Sequence, residues 1–323
     1  MQYNNREHAK GFAAGALAAC GAVTFTNPWE VVKTRLQLQG ELQAKTAVGV
    51  NKPYGSAITT FGKIFMNEGV TGLQRGLMPA YIYQVFLNGF RLGSYEPLKN
   101  YIQFHIVDPI AGAPNSSPLI AMVSSGALAG VMGAAIASPF FLIKTRMQAY
   151  TKGSAISVGH QHTYVEKGTF HSLKFIFQQD GLRGLWRGAD ASMLRTGVGS
   201  SVQLPSYDII KNYLFKTGYF DKYGGTKSVQ LHFAASLGTS LLVCTAMNPF
   251  DVAMTRMYNQ KDGNTYKNVA DCIAKTLRYE GITAFFKGYS AHYLRIGPHT
   301  ILTFMFLEQT KRFVEKVDST LFA

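Results

Sequence analysis

The chain has 323 residues, with 32 lysines and arginines against 18 acidic residues, for a formal net charge of +14. Its mean hydropathy of +0.02 is too low for a bundle buried in lipid on every side and suits helices with one wet and one apolar face. The basic residues recur at fixed positions along the chain instead of forming one patch, which argues against a nucleic-acid partner. It favours loops that meet anionic lipid and an interior that meets anionic solutes. Cys20, Cys244 and Cys272 are odd in number and lack CxxC or Cys/His spacing, so neither a disulfide framework nor a metal site is expected. The N-terminus has no secretory apolar core and no Arg-rich transit segment, so targeting is expected to be internal.

In chain order, helices are predicted over 10–38, 78–101, 118–149, 189–215, 229–258 and 289–316. Short amphipathic segments lie between the members of each pair, at 54–67, 169–179 and 268–279, and polar stretches at 40–53 and 151–168 read as loops. The odd helices carry a proline near their far ends, where removal of a backbone donor should bend them. Each proline opens a near-copy of one patch: Pro28-Trp-Glu30-Val-Val-Lys33-Thr-Arg35, Pro139-Phe-Phe141-Leu-Ile-Lys144-Thr-Arg146 and Pro249-Phe-Asp251-Val-Ala-Met254-Thr-Arg256. The prolines are 111 and 110 residues apart, so one unit is written three times, over 1–107, 108–222 and 223–323. A second motif keeps the register: Glu68-Gly69 with Arg75-Gly76, Asp180-Gly181 with Arg187-Gly188, and Glu280-Gly281 with Lys287-Gly288. So does a third, on the even helices: Glu96 with Lys99, Asp208 with Lys211, Glu308 with Lys311. Gly15 and Ala19, Gly126 and Gly130, and Ser236 and Ser240 precede the prolines at small-xxx-small spacing, which lets membrane helices approach closely.

Acid and base three residues apart share a helix face. With three copies around an axis, the acid of one repeat meets the base of the next, pairing Glu30 with Lys144 and Asp251 with Lys33. The remaining pair is lost on both sides at once, to Phe141 and Met254. A lone buried charge costs several kcal/mol whereas an apolar pair can be neutral, so these two read as an apolar latch. On the even helices the expected pairs are Glu96 with Lys211, Asp208 with Lys311 and Glu308 with Lys99. The even helices also carry polar stripes at 4-3-4 spacing: Gln84, Asn88, Arg91 and Tyr95, then Thr196, Ser200, Gln203 and Tyr207, then Ile296, Thr300, Thr303 and Leu307. One step before each stripe stand Tyr83, Arg195 and Arg295. No carboxylate lies on the stripes, so Arg195, Arg295 and Arg91 are expected to leave the interior cationic. Such arginines are expensive in lipid, and their forks match carboxylates and sulfate. The expected ligand is a small anion with two negative ends.

On these nine motif occurrences the chain, over about residues 10–315, resembles the mitochondrial carrier family. The resemblance implies an all-α membrane protein of six transmembrane helices in three repeats, pseudo-three-fold around a central cavity. It sits in the inner membrane with both termini on the intermembrane-space side, and a monomer is expected. The resemblance implies that the proline-motif network closes the matrix side, braced by Gln37, Gln148 and Tyr258, and that the even-helix network closes the cytosolic side in alternation. It places substrate contacts at Tyr83, Gln84, Arg195, Thr196 and Arg295, with Arg91 taking over from the arginine that keto-acid relatives have at the Tyr83 position. Arg195-Thr196, Tyr83-Gln84, Asn88-Gly89 and Phe141 together are most similar to the branch that handles oxaloacetate and related dianions, including sulfate and malonate.

Cardiolipin is expected at Arg75-Gly76, Arg187-Gly188 and Lys287-Gly288, where free helix N-termini suit phosphate. An uncoupling-type proton leak and a transport-inactive scaffold are the alternatives. No catalytic group or cofactor is expected, since the eight histidines show no triad or metal spacing. His292 and His299 read as satisfied helix histidines before proton relays.

Overall fold

The computed structural model describes residues 5–42, 53–111, 118–152, 156–217, 229–261 and 265–321. Ten α-helices follow in order: α1 (Asn5–Leu38), α2 (Ala57–Leu73), α3 (Leu77–Ile102), α4 (Asp108–Ala111), α5 (Pro118–Ala149), α6 (Thr169–Leu185), α7 (Ala189–Lys216), α8 (Val229–Asn259), α9 (Val269–Glu280) and α10 (Tyr289–Leu321). A π turn over Gln103–Val107 continues α3, and 3-10 turns cover Thr163–Lys167 and Ile282–Phe286. Among the described residues there is no strand.

The six long helices lie where the periodicity predicts them. α2 and α6 run on past the predicted ends because one more helical turn follows a break at Gly69 and Gly181. Those glycines have φ of 67° and 64°, and Gly281 at the same place in the third repeat has 74°. A side chain is strained there, so the acid-glycine motif is a turn signal as well as a charge. Ser56 caps α2 by accepting from Thr59 N, and Asn268 caps α9 by accepting from Asp271 N.

The second motif glycine performs a different task. Gly76, Gly188 and Gly288 are left-handed, with φ of 73°, 83° and 75°. A Cβ at Gly76 would lie 3.0 Å from Lys144 O, one at Gly188 3.2 Å from the Tyr258 ring, and one at Gly288 3.2 Å from Lys33 O. Each therefore seats the start of an even helix directly on the proline-bearing helix of the next repeat. The long helices touch in a closed order, α1–α3–α5–α7–α8–α10 and back to α1, and α1, α5 and α8 also meet one another. α5 packs closely on α7, where a Cβ at Gly130 would be 3.2 Å from Thr196 Cγ2.

Among the described residues, two helices are long and apolar enough by composition to cross a membrane, over Ile120–Ala149 and Gln230–Asn259. Polar and charged stripe positions dilute the hydropathy of the even helices. The buried interior sits mainly at the proline ends, where one cluster gathers Tyr83, Phe141, Leu142, Ile143, Met254, Met257 and Tyr258, and another gathers Val31, Val32, Leu36, Leu38 and Ile64.

Candidate functional site

The proline ends of α1, α5 and α8 converge on a buried charge cluster. Lys144 Nζ lies 2.7 Å from Glu30 Oε1, and Lys33 Nζ lies 2.5 Å from Asp251 Oδ2. All four side chains are almost wholly enclosed, so each is tolerable only because it is paired. Both contacts run between repeats, as the three-residue spacing of acid and base requires. The third position, between α5 and α8, holds Phe141 and Met254 in one apolar cluster. Phe141 meets the Tyr83 ring edge-on at 4.9 Å between centroids and the Tyr258 ring at 5.3 Å. Lys144 Nζ sits 5.0 Å above Phe141 and 5.5 Å above Tyr83, so the aromatic pair also faces a cation.

Two further cations reach the cluster. Arg195 of α7 is paired with Asp251 Oδ1, and Arg295 of α10 lies 3.4 Å from Glu30 Oε1. The expectation of arginines without carboxylate partners is corrected here: the acids come from neighbouring odd helices, not from the stripes. Tyr83 is 5% exposed and packs on Phe141, so with the cluster closed it adds its ring to the apolar latch. Gln84 is also buried and accepts from Asn88 Nδ2 at 3.4 Å. Thr196 turns its hydroxyl back to Ser192 O, at 2.8 Å. Arg91 is exposed and forms no ion pair with a described residue.

Beneath the cluster, Gln37, Gln148 and Tyr258 close a ring. Thr255 of α8 donates to Gln37 Oε1 at 2.8 Å; the Tyr258 hydroxyl pairs with Ser138 of α5 at 2.8 Å; Thr34 of α1 donates to Gln148 Oε1 at 3.0 Å. Gln148 Nε2 also donates to Asn27 Oδ1 at 3.1 Å. Four cations and two carboxylates thus stand over a closed floor, with a surplus of two positive charges.

A family model described as mitochondrial carrier protein matches residues 4–106, 115–218 and 225–318. The chain belongs to the mitochondrial carrier family. It is 47% identical over 308 residues to the mitochondrial oxaloacetate transport protein of Saccharomyces cerevisiae, covering 95% of this chain and 90% of that one. The mitochondrial citrate transporter E of Aspergillus niger is 47% identical over 308 residues, covering 95% and 94%. The mitochondrial oxaloacetate transport protein of Schizosaccharomyces pombe is 47% identical over 303 residues, covering 94% and 90%. The family is one of transporters, so the expectation of a carrier rather than an enzyme holds.

In this carrier the opposite end differs. Glu96 and Asp208 are exposed, Lys99 and Lys211 half-buried, and the expected ion pair between Glu96 and Lys211 is not formed. The side chains of Glu308 and Lys311, with the pairs expected of them, lie outside the described residues, as does that of Thr300 on the third stripe. Tyr207 leaves its stripe to bond His232 Nδ1 of α8 at 2.5 Å.

The residues expected to bind lipid are engaged within the protein. Arg75, Arg187 and Lys287 pair with the acid of their own repeat, at 3.3 Å to Glu68, 3.2 Å to Asp180 and 2.5 Å to Glu280. They also donate to the carbonyls of Tyr150, Lys261 and Gln39, at 3.1, 3.4 and 2.7 Å.

Sequence reasoning missed the second base of each proline motif. Arg35, Arg146 and Arg256 donate from Nε to the carbonyls of Gln148, Tyr258 and Gln37, at 3.1, 2.8 and 3.5 Å, which repeats the brace ring in backbone form. Arg256 also clasps Glu280 with two bonds of 2.7 and 2.9 Å, and Arg35 clasps Glu68 in the same way. Burial opposes the charge on Glu280, yet Arg256 and Lys287 outweigh it and hold the carboxyl below its ordinary range. The second repeat departs: Arg146 bonds the Tyr164 hydroxyl instead, and its Nη2 is enclosed without a partner. The signal was present, since acid and second base recur in register in every repeat.

Proposed function

We propose that this carrier moves small dianions, oxaloacetate foremost and also sulfate, malonate and related dicarboxylates, across the mitochondrial inner membrane by alternating access. The six long helices cross the membrane around a central cavity, with both termini on the intermembrane-space side. Exposed apolar side chains such as Phe25, Leu128, Met132 and Leu241 on their outer faces support this. The protein works as a monomer, and cardiolipin binds at the helix starts beside Gly76, Gly188 and Gly288. The proline-end cluster closes the matrix side, while Glu96, Lys99, Asp208, Lys211, Glu308 and Lys311 close the cytosolic side in the other half of the cycle.

The observation that carries the reading is the surplus of two positive charges at the cluster. Arg195 and Arg295 each hold an acid that already has its own lysine. Both arginines can therefore turn to a ligand without leaving a buried carboxylate unpaired. A ligand with two negative ends balances them; a monoanion does not. Drawing the arginines toward the ligand loosens the cluster, which couples binding to opening of the matrix side. Inward movement of a bare dianion against a matrix-negative potential costs about 2.3 kcal/mol per charge per 100 mV, so proton symport or exchange against an internal anion accompanies it. Arg91, exposed and without an ion pair to a described residue, offers a cation for a third anionic end, and the citrate transporter among the relatives makes citrate the second candidate.

Uptake of labelled anions into liposomes holding the purified protein tests this. Sulfate and malonate should enter saturably and compete with oxaloacetate, while chloride and adenine nucleotides should not. Nucleotide uptake, or a proton leak with no dianion flux, would overturn the reading.

A further inference from the structure

We propose that His292 is the proton site of the transport cycle, taking up one proton on the imidazole when a dianion draws Arg195 away from Asp251. This rests on the reading of the chain as a dianion carrier.

His292 lies on α10 at the edge of the charge cluster and is fully enclosed. Its Nδ1 is 3.1 Å from Asp251 Oδ2 and 3.3 Å from Asn248 Oδ1. Asn248 spends its amide N–H on the Phe285 carbonyl, which turns its oxygen toward the ring. Nδ1 thus bonds Asn248 Oδ1 and lies at ion-pair distance from Asp251 Oδ2, and on both counts it carries the hydrogen. Nε2 is then a bare lone pair, enclosed and without a hydrogen-bond partner among the described residues. A histidine kept only for packing has no need of an orphaned polar atom, because burying one unbonded costs free energy.

The charged groups around the ring are Lys33 from α1, Asp251 from α8, Arg195 from α7 and Arg295 from its own helix. With three cations and one acid there, a fourth positive charge on the ring is opposed by repulsion while the cluster is closed. Removing Arg195 and Arg295 to a ligand cancels that surplus: Asp251 keeps Lys33 alone and its contact to His292. A proton from water in the open cavity then adds to the Nε2 lone pair, giving an imidazolium that bonds Asp251. Opening of the cluster exposes the ring to the other side, where the proton returns to water as the arginines recover their acids. No covalent bond of protein or substrate breaks, and one proton crosses per dianion.

The test uses the full-length carrier in liposomes, with labelled malonate as the probe and two assays: malonate–malonate exchange, which needs no net proton movement, and net uptake driven by an acid exterior. In the wild type, exterior acidification should raise net uptake by up to about tenfold per pH unit, the limit for one proton. His292→Gln keeps a donor for Asp251 and cannot titrate. Its ratio of uptake at acid to neutral exterior should fall to about one while exchange continues. Retention of the full acid response in H292Q overturns the proposal. Loss of exchange in both H292Q and H292N makes the residue a packing element and overturns it as well. Absence of exchange in the wild type overturns the transport reading itself, a distinct failure.

Discussion

The proline end and the opposite end carry the same chemistry, acids and lysines three residues apart on facing helices, yet the two pairs at the proline end are made while the one pair described at the opposite end is not. At the proline end Lys33 and Lys144 are each within 2.7 Å of an acid, beneath two arginines and above a ring of side-chain bonds. At the other end Glu96 and Lys211 stand apart. The difference teaches that matching charges along a helix specify a possible contact, while the conformational state decides which set is made. On the proposed cycle, a carrier that closed both ends together would trap its substrate, so only one of the two sets of pairs is made at a time.

The comparison breaks most visibly at the latch. Phe141→Asp removes the ring packed on Tyr83 and Tyr258 and buries a carboxylate whose nearest cation, Lys144, is already held by Glu30. It should cost about 3–5 kcal/mol in thermal unfolding and stop uptake. Met254→Lys should do less harm, since a lysine can snorkel outward. The double variant F141D/M254K should recover most of the loss. A double variant as impaired as the worse single one would mean that the two positions do not face each other.

Next in size is a contrast within the tied end. Glu280, 4% exposed, clasps an enclosed Arg256, so Glu280→Ala should lower stability by about 3–5 kcal/mol. Asp180 is 40% exposed and pairs with a surface arginine, so Asp180→Ala should cost no more than about 1 kcal/mol. Because the Glu280 carboxyl is held below its ordinary range, its stabilisation is complete above that range and is lost as pH falls through the lowered value. Thermal scans in detergent of the wild type and the two variants, near neutral pH and below the ordinary carboxylate range, check both statements. Equal losses at Glu280 and Asp180 would erase the distinction between the repeats.

The smallest effect on stability belongs to the untied end. Glu96→Gln and Lys211→Gln should each change the unfolding temperature by no more than a surface substitution does, within about 0.5 kcal/mol, yet slow uptake by removing a contact needed in the other state. A large stability loss from either would show that the pair is already made.

Much of this was legible in the sequence because proline, glycine and charge act locally. The starts of the even helices follow from Gly76, Gly188 and Gly288, while the motif prolines lie inside helices that run on past them, and both ion pairs at the proline end follow from the three-residue spacing with the repeat. The pairing of Arg195 with Asp251 was not legible, because it depends on how deep α7 sits beside α8, which no spacing within one helix records. Tyr83 shares the register of Arg195 and Arg295 but not their surroundings, since Phe141 of the next repeat offers a ring where an acid would stand. The orphaned nitrogen of His292 is likewise a property of packing, invisible until Asn248 is seen to face it.

The most direct measurement is malonate uptake into liposomes by Arg195→Ala and Arg295→Ala, each compared with the wild type. A charge-assisted bond to the ligand is worth about 1.5–3 kcal/mol, so each variant should lose about 10–100-fold in uptake at limiting substrate, while remaining folded in detergent. Uptake at the wild-type rate in both would contradict the account, because the surplus charge at the cluster would then have no part in holding the substrate.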